Sequence, residues 1–153
     1  MTRNEADLQI KSTLQNIIGN HTAEIEDFVQ NLSVIQMPKS GFLVRDEDKC
    51  SNIYFINQGA FRTFLQVEGR ETNTEFFFEN SFAGAFTSFL LDTRTSLNIQ
   101  AMEPAVVMEI PKVLLERYYQ INPCWYALGK YIFEREFIKK CQRESDFLAK
   151  KGI

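Results

Sequence analysis

The order of apolar and polar positions changes character twice along this chain. From Glu5 to Leu32 the apolar residues recur at helical spacing: Leu8, Ile10, Leu14, Ile17 and Ile18, then Ile25, Phe28, Val29 and Leu32. Gly19-Asn20 interrupts them, so two short helices are predicted. The second is expected to start at Thr22, whose hydroxyl suits a free helix-start amide, with Glu24 and Glu26 suited to the positive end.

From Ser33 to Ile110 the rhythm becomes that of short antiparallel strands divided by turns. Val34 to Met37 stops at Pro38, and Phe42-Leu43-Val44 follows a turn at Lys39-Ser40-Gly41. Ile53 to Ile56 runs into Asn57-Gln58-Gly59. Phe61, Thr63, Leu65 and Val67 then alternate with Arg62, Phe64 and Gln66. Glu68-Gly69-Arg70 predicts a hairpin into a strand from Glu71 to Phe78. Ser81 to Leu91 breaks the alternation and predicts one short helix. Strands resume with Leu97, Ile99 and Ala101, turn at Glu103-Pro104, and end with Val106, Met108 and Ile110.

Pro111 closes the last strand and opens a helix from Lys112 to Tyr119, after which Asn122-Pro123 restarts the helix as cap and first position. It is expected to run to about Lys150, with Leu128, Tyr131, Ile132, Ile138, Cys141 and Leu148 in one stripe. Trp125, Phe133, Phe137 and Phe147 widen that stripe. Such a helix is about 40 Å long, more than the small sheet can cover. One face is expected to pack on the strands and the other on a second copy, giving a homodimer; folding back on its own domain is the alternative. The expected architecture is α+β: an antiparallel β-roll (residues 33–111) flanked by N-terminal helices (1–32) and C-terminal helices (112–153), all one structural domain.

Composition narrows the function. The 153 residues, 44% hydrophobic and 24% charged, suffice for a core without disulfide or metal support, and 14 Phe suggest that rings build it. A net charge of -3 argues against a basic surface for nucleic acid, so no direct nucleic-acid contact by this chain is expected. No apolar run is long enough for a membrane span, and no apolar signal segment follows Met1 to Glu5, so a cytoplasmic protein is expected. Cys50, Cys124 and Cys141 are odd in number and lack close spacing, which indicates neither disulfides nor a metal site. The single histidine, His21, is too few for a metal-dependent β-roll enzyme and leaves the cysteines without a base. No enzymatic activity, catalytic residue or cofactor is expected.

Asn52-Ile53-Tyr54-Phe55-Ile56-Asn57-Gln58-Gly59, followed by Ala60-Phe61-Arg62, resembles a strand and turn glycine of the cyclic-nucleotide-binding-like effector domain of the Crp/Fnr family of bacterial transcription regulators. The likeness runs from about Glu24 to Leu148. It implies that Phe82 to Ser96 replaces that family's phosphate-binding cassette, in which a Gly-Glu pair starts a short helix and an Arg with a hydroxyl neighbour holds the phosphate. Here Gly84 fits, but Ala85 stands in the place of the Glu, and Thr95-Ser96 in that of the Arg and its neighbour. Each loss removes a charge-assisted bond to a buried anion, so binding of cAMP or cGMP in the usual way is not expected. The remaining pocket is expected at Gly84, Ala85, Phe86, Thr95 and Ser96, with Phe76, Phe78, Phe82 and Phe89 as rings and Arg62 or Arg94 at its mouth. Those rings either fill it as core, the favoured reading, or wall it for an unidentified small-molecule effector, apolar or weakly anionic.

The run Arg45-Asp46-Glu47-Asp48 replaces a turn where the family often has Gly and reads as a solvated loop. The family's helix-turn-helix domain has no counterpart before Ile153. The resemblance thus implies the sensor domain of a transcription regulator. Two alternatives stay open: a stand-alone dimerisation or interaction module with an inert roll, and genuine cyclic-nucleotide binding through Arg94 and Ser96.

Overall fold

The structure, a computed structural model, describes residues 1–150. Two helices lead, α1 (Arg3–Ile18) and α2 (Thr22–Gln30). Eight strands follow: β1 (Ser33–Met37), β2 (Phe42–Val44), β3 (Asn52–Gln58), β4 (Phe61–Val67), β5 (Arg70–Phe77), β6 (Phe82–Ala83), β7 (Asn98–Ala101) and β8 (Ala105–Pro111). Helix α3 (Phe86–Leu91) lies between β6 and β7. Helix α4 (Lys112–Ile121), a 3₁₀ turn (Pro123–Trp125) and α5 (Tyr126–Lys150) complete the chain. Positions 151–153, the end of the expected C-terminal segment, lie outside the described residues.

The strands form two four-stranded antiparallel sheets, ordered β1-β8-β3-β6 and β2-β7-β4-β5. The first is covered on both faces, which is why Ile53 to Asn57 is one unbroken buried run. Ile53, Phe55, Met108 and Ile110 face the helices and join Ile10, Leu14, Phe28 and Trp125 in one core. Tyr54, Ile56 and Val107 face inward across the roll and meet Phe61, Phe77 and Ile99 of the second sheet. The order is therefore helices, sheet, sheet, with solvent beyond.

Three local expectations are corrected. Ser81 to Leu91 is not one helix: Phe82 and Ala83 pair with Phe55 and Tyr54 as β6, and the helix begins only at Phe86. Long-range pairing there outweighs a helical apolar spacing. The helix restart at Asn122 is a 3₁₀ turn, capped by Asn122 through the Cys124 N–H at 3.0 Å, before α5 begins at Tyr126. Thr22 is the first residue of α2 rather than its cap; His21 holds the cap position without a side-chain bond. Among the N-terminal helices the side-chain cap is at Thr2, where Thr2 and Glu5 make a reciprocal capping box on α1.

Candidate functional site

Strands β4 and β5, the turn from β6 into α3, and the C-terminal half of α5 enclose a cleft of about 800 Å³, within the range of small-molecule sites. Gly84, Phe86 and Thr87 come from the β6–α3 turn, and Leu97 from the approach to β7. Thr63 comes from the inner face of β4, and Phe137, Phe147 and Leu148 from α5. The Thr63 hydroxyl is fully buried and has no hydrogen-bond partner.

Charge in the cleft sits along the seam between β5 and α5. Lys139 donates to Glu75 at 3.0 Å and to Glu136 at 3.3 Å, and its ammonium lies 4.7 Å from the centre of the Phe77 ring. Burial, and then the neighbouring Glu75 carboxylate, push Glu136 up to about 7. The two carboxylates share the Lys139 ammonium. One turn on, Arg143 donates to the Thr74 carbonyl, so the helix is strapped to the strand.

The residues expected at the pocket are dispersed. Gly84 and Phe86 line the cleft, and Ala85, 1% exposed, turns its methyl group into the roll core beside them. Phe82 and Phe89 are in the core on the helical side, Phe82 with its ring 5.2 Å from Phe55. Arg62 and Phe76 are not at the cleft: strand alternation sends both to the outer, solvent face of the second sheet, where they pair across β4 and β5. There Arg62 bonds Glu71 at 2.7 Å and Gln100 at 2.7 Å and covers the Phe64 ring. Phe78, 61% exposed, also lies outside.

Arg94, Thr95 and Ser96 are turned away as well. The Arg94 guanidinium bonds the Glu47 carbonyl at 2.8 Å, and the Thr95 backbone bonds Asp48 and Glu47. Ser96 is exposed. The acidic loop thus holds the Arg94–Ser96 segment, while Asp48 accepts from its own loop at the Arg45 N–H. Ser88 holds the other side, accepting from the Cys50 N–H and donating to the Thr93 carbonyl.

The stripe on α5 also divides. Leu128 and Ile132 are buried in their own domain's core, and Tyr131 is half-buried with its ring 6.4 Å from that of Phe82. Ile138, Cys141 and Leu148 are exposed, as is Phe137. Sequence reading missed Thr63, Leu97, Phe137 and Phe147 as cleft residues, although the breadth of the α5 stripe was a signal that its second half serves more than one surface.

A two-sheet roll with a short helix between strands and a long helix across its cleft defines the class of cyclic-nucleotide-binding-like β-rolls. The family profile "Cyclic nucleotide-binding domain" matches residues 34–122, and the chain belongs to that family. Among the solved structures that share the fold, three illustrate the likeness. A cyclic nucleotide-binding domain from Methylobacillus flagellatus superposes with a TM-score of 0.73 at 14% identity, over 95% of this chain and 85% of its own. The catabolite activator protein of Thermus thermophilus gives 0.69 at 16% identity, over 86% of this chain and 61% of its own. The sensor domain of the transcriptional regulator DNR from Pseudomonas aeruginosa gives 0.66 at 16% identity, over 83% and 91%. This chain spans only part of the Thermus protein's length. Among curated proteins, none matches the sequence.

Proposed function

We propose that this chain is the sensor domain of a cytoplasmic, Crp/Fnr-type transcription regulator, which takes a small-molecule effector between roll and α5 and does not bind cAMP or cGMP in the usual way. The observation that carries the reading is the cleft beside Gly84, walled by Phe86, Leu97 and Phe137, with Ala85 buried beside it and Arg94 and Thr95 bound to the acidic loop. An anion there would lack an Arg next to Ser96 and a carboxylate after Gly84, each worth about 1.5–3 kcal/mol as a charged hydrogen bond; the cations that line the cleft are Lys140 and Arg143 of α5. The similarity to a catabolite activator and to a transcriptional regulator's sensor domain supports the regulatory role. We read the domain as non-catalytic and without direct DNA contact.

Calorimetric titration of the full chain with cAMP and with cGMP tests this. No binding at micromolar concentration is expected, and tight binding of either would overturn it.

The exposure of Ile138 on α5, outside the cleft lining, supports homodimerisation through that helix. Light scattering should give a dimer mass that Ile138→Glu reduces to the monomer. A dimer in which neither nucleotide nor any small molecule occupies the cleft would favour the second reading, an interaction module with an inert roll.

A further inference from the structure

The turn between α1 and α2 and the turn before α5 bring three different donor atoms to one point, away from the cleft. The imidazole of His21, the carboxylate of Glu24 and the thiol of Cys124 each place a ligand atom within 4.8 Å of the other two, and all three residues are half-buried. His21 Nδ1 is 3.7 Å from Glu24 Oε2. Asn122 organises both sides: its amide donates to the Glu24 carboxylate at 3.1 Å and 3.3 Å, and its carbonyl accepts the Cys124 N–H at 3.0 Å. The His21 side chain makes no capping bond to α2.

We propose that His21, Glu24 and Cys124 form a site for a divalent transition-metal ion of the zinc class, with the fourth tetrahedral position open to water. One nitrogen, one oxygen and one sulfur donor suit a borderline-soft cation and exclude calcium and magnesium, which take oxygen. Ligands bonded at about 2.0–2.3 Å to a tetrahedral ion sit roughly 3.5 Å apart, so the cluster closes by about 1 Å through side-chain rotation. The thiol proton leaves to solvent as the sulfur–metal bond forms. Asn122 is then the partner that orients Glu24 while fixing the backbone of Cys124. An ion held here would fasten the α1–α2 turn to the point where α5 departs, joining segments about a hundred positions apart in sequence. The spacing of ligands along the chain gave no sign of it, because one half of the site comes from the N-terminal helices and the other from beyond the roll.

Titration of the reduced full chain with Co²⁺, followed by absorbance, tests the site. One equivalent is expected to bind with a sulfur-to-cobalt charge-transfer band, which Zn²⁺ abolishes by displacement. Cys124→Ser should remove the band and weaken Co²⁺ binding at least tenfold, while a Cys50→Ser/Cys141→Ser double variant keeps both. Zn²⁺ should raise the melting temperature of the parent chain and not that of Cys124→Ser, with circular dichroism confirming that each variant is folded. A band that is absent from the parent, that survives Cys124→Ser, or that disappears with Cys50 and Cys141 would overturn the proposal. These outcomes do not depend on whether the cleft takes an effector.

Discussion

The Lys139 ammonium donates to the Glu75 carboxylate at 3.0 Å, joining the second half of α5 to β5 at the edge of the cleft. The same ammonium reaches Glu136, whose carboxyl is raised from its ordinary value of 4.5 to about 7 by burial and by Glu75. A carboxyl raised in the fold holds its proton more tightly there than in the unfolded chain. Its contribution to stability is therefore full below about pH 4.5 and is lost as pH rises through about 7. The melting temperature should fall over that window. Glu136→Gln, which cannot ionise, should flatten the fall and melt about 2–4 °C above the parent at pH 8. Parallel melting curves for the two proteins would count against a raised Glu136 carboxyl.

Gly59 follows β3 with φ at +100°, and an added Cβ would lie 2.7 Å from the Ala105 Cβ and 3.1 Å from the Pro104 carbonyl oxygen. Conformation and clash act together, so Gly59→Ala should cost about 2–4 kcal/mol in urea unfolding. Gly69 at the hairpin tip has φ +76° but no atom within 4 Å of that position. Gly69→Ala should cost only about 1–2 kcal/mol. Equal losses would mean that contact with the β7–β8 turn does not matter.

The Thr63 hydroxyl is buried without a partner at the floor of the cleft. Valine has nearly the same shape and no hydroxyl to desolvate. Thr63→Val should therefore stabilise the empty protein by roughly 1 kcal/mol, read as a rise of about 2–4 °C in melting temperature. A lower melting temperature would show that the hydroxyl does find a partner.

Trp125 is fully buried, with its ring 4.7 Å from Phe28 and 4.8 Å from Tyr118. Removing it should cost about 3–5 kcal/mol in Trp125→Ala. Trp125→Phe should cost less, since it also discards an indole N–H that has no acceptor. Chemical denaturation of both variants reads the difference.

The roll was legible where strand alternation and turn chemistry agreed, as from Ile53 to Gly59 and through the Gly69 hairpin. Alternation also placed Arg62 opposite to Thr63 along β4, and the structure obeys it; the resemblance alone drew Arg62 toward a pocket on the other face. Phe82 and Ala83 were missed as a strand because two residues carry no period of their own and depend on Tyr54 and Phe55 for pairing. The cleft was only half visible, since Phe137 and Phe147 reach it through the path of α5, which no local pattern encodes. Arg94 could not be placed from sequence either, because its partner is a backbone carbonyl of Glu47 in a loop with no regular structure.

Strand β1 pairs with β8, the first strand with the last, and β8 is also the neighbour of β3. During synthesis the helix-covered sheet therefore lacks its central member until Pro111 has left the ribosome, and Phe55 has no Met108 beside it until then. The nascent chain must carry the apolar faces of α1, α2 and β3 in an unassembled state until then, and closure of the roll is a non-local event. The interval before β8 arrives is when this protein is most open to chaperone capture or to aggregation.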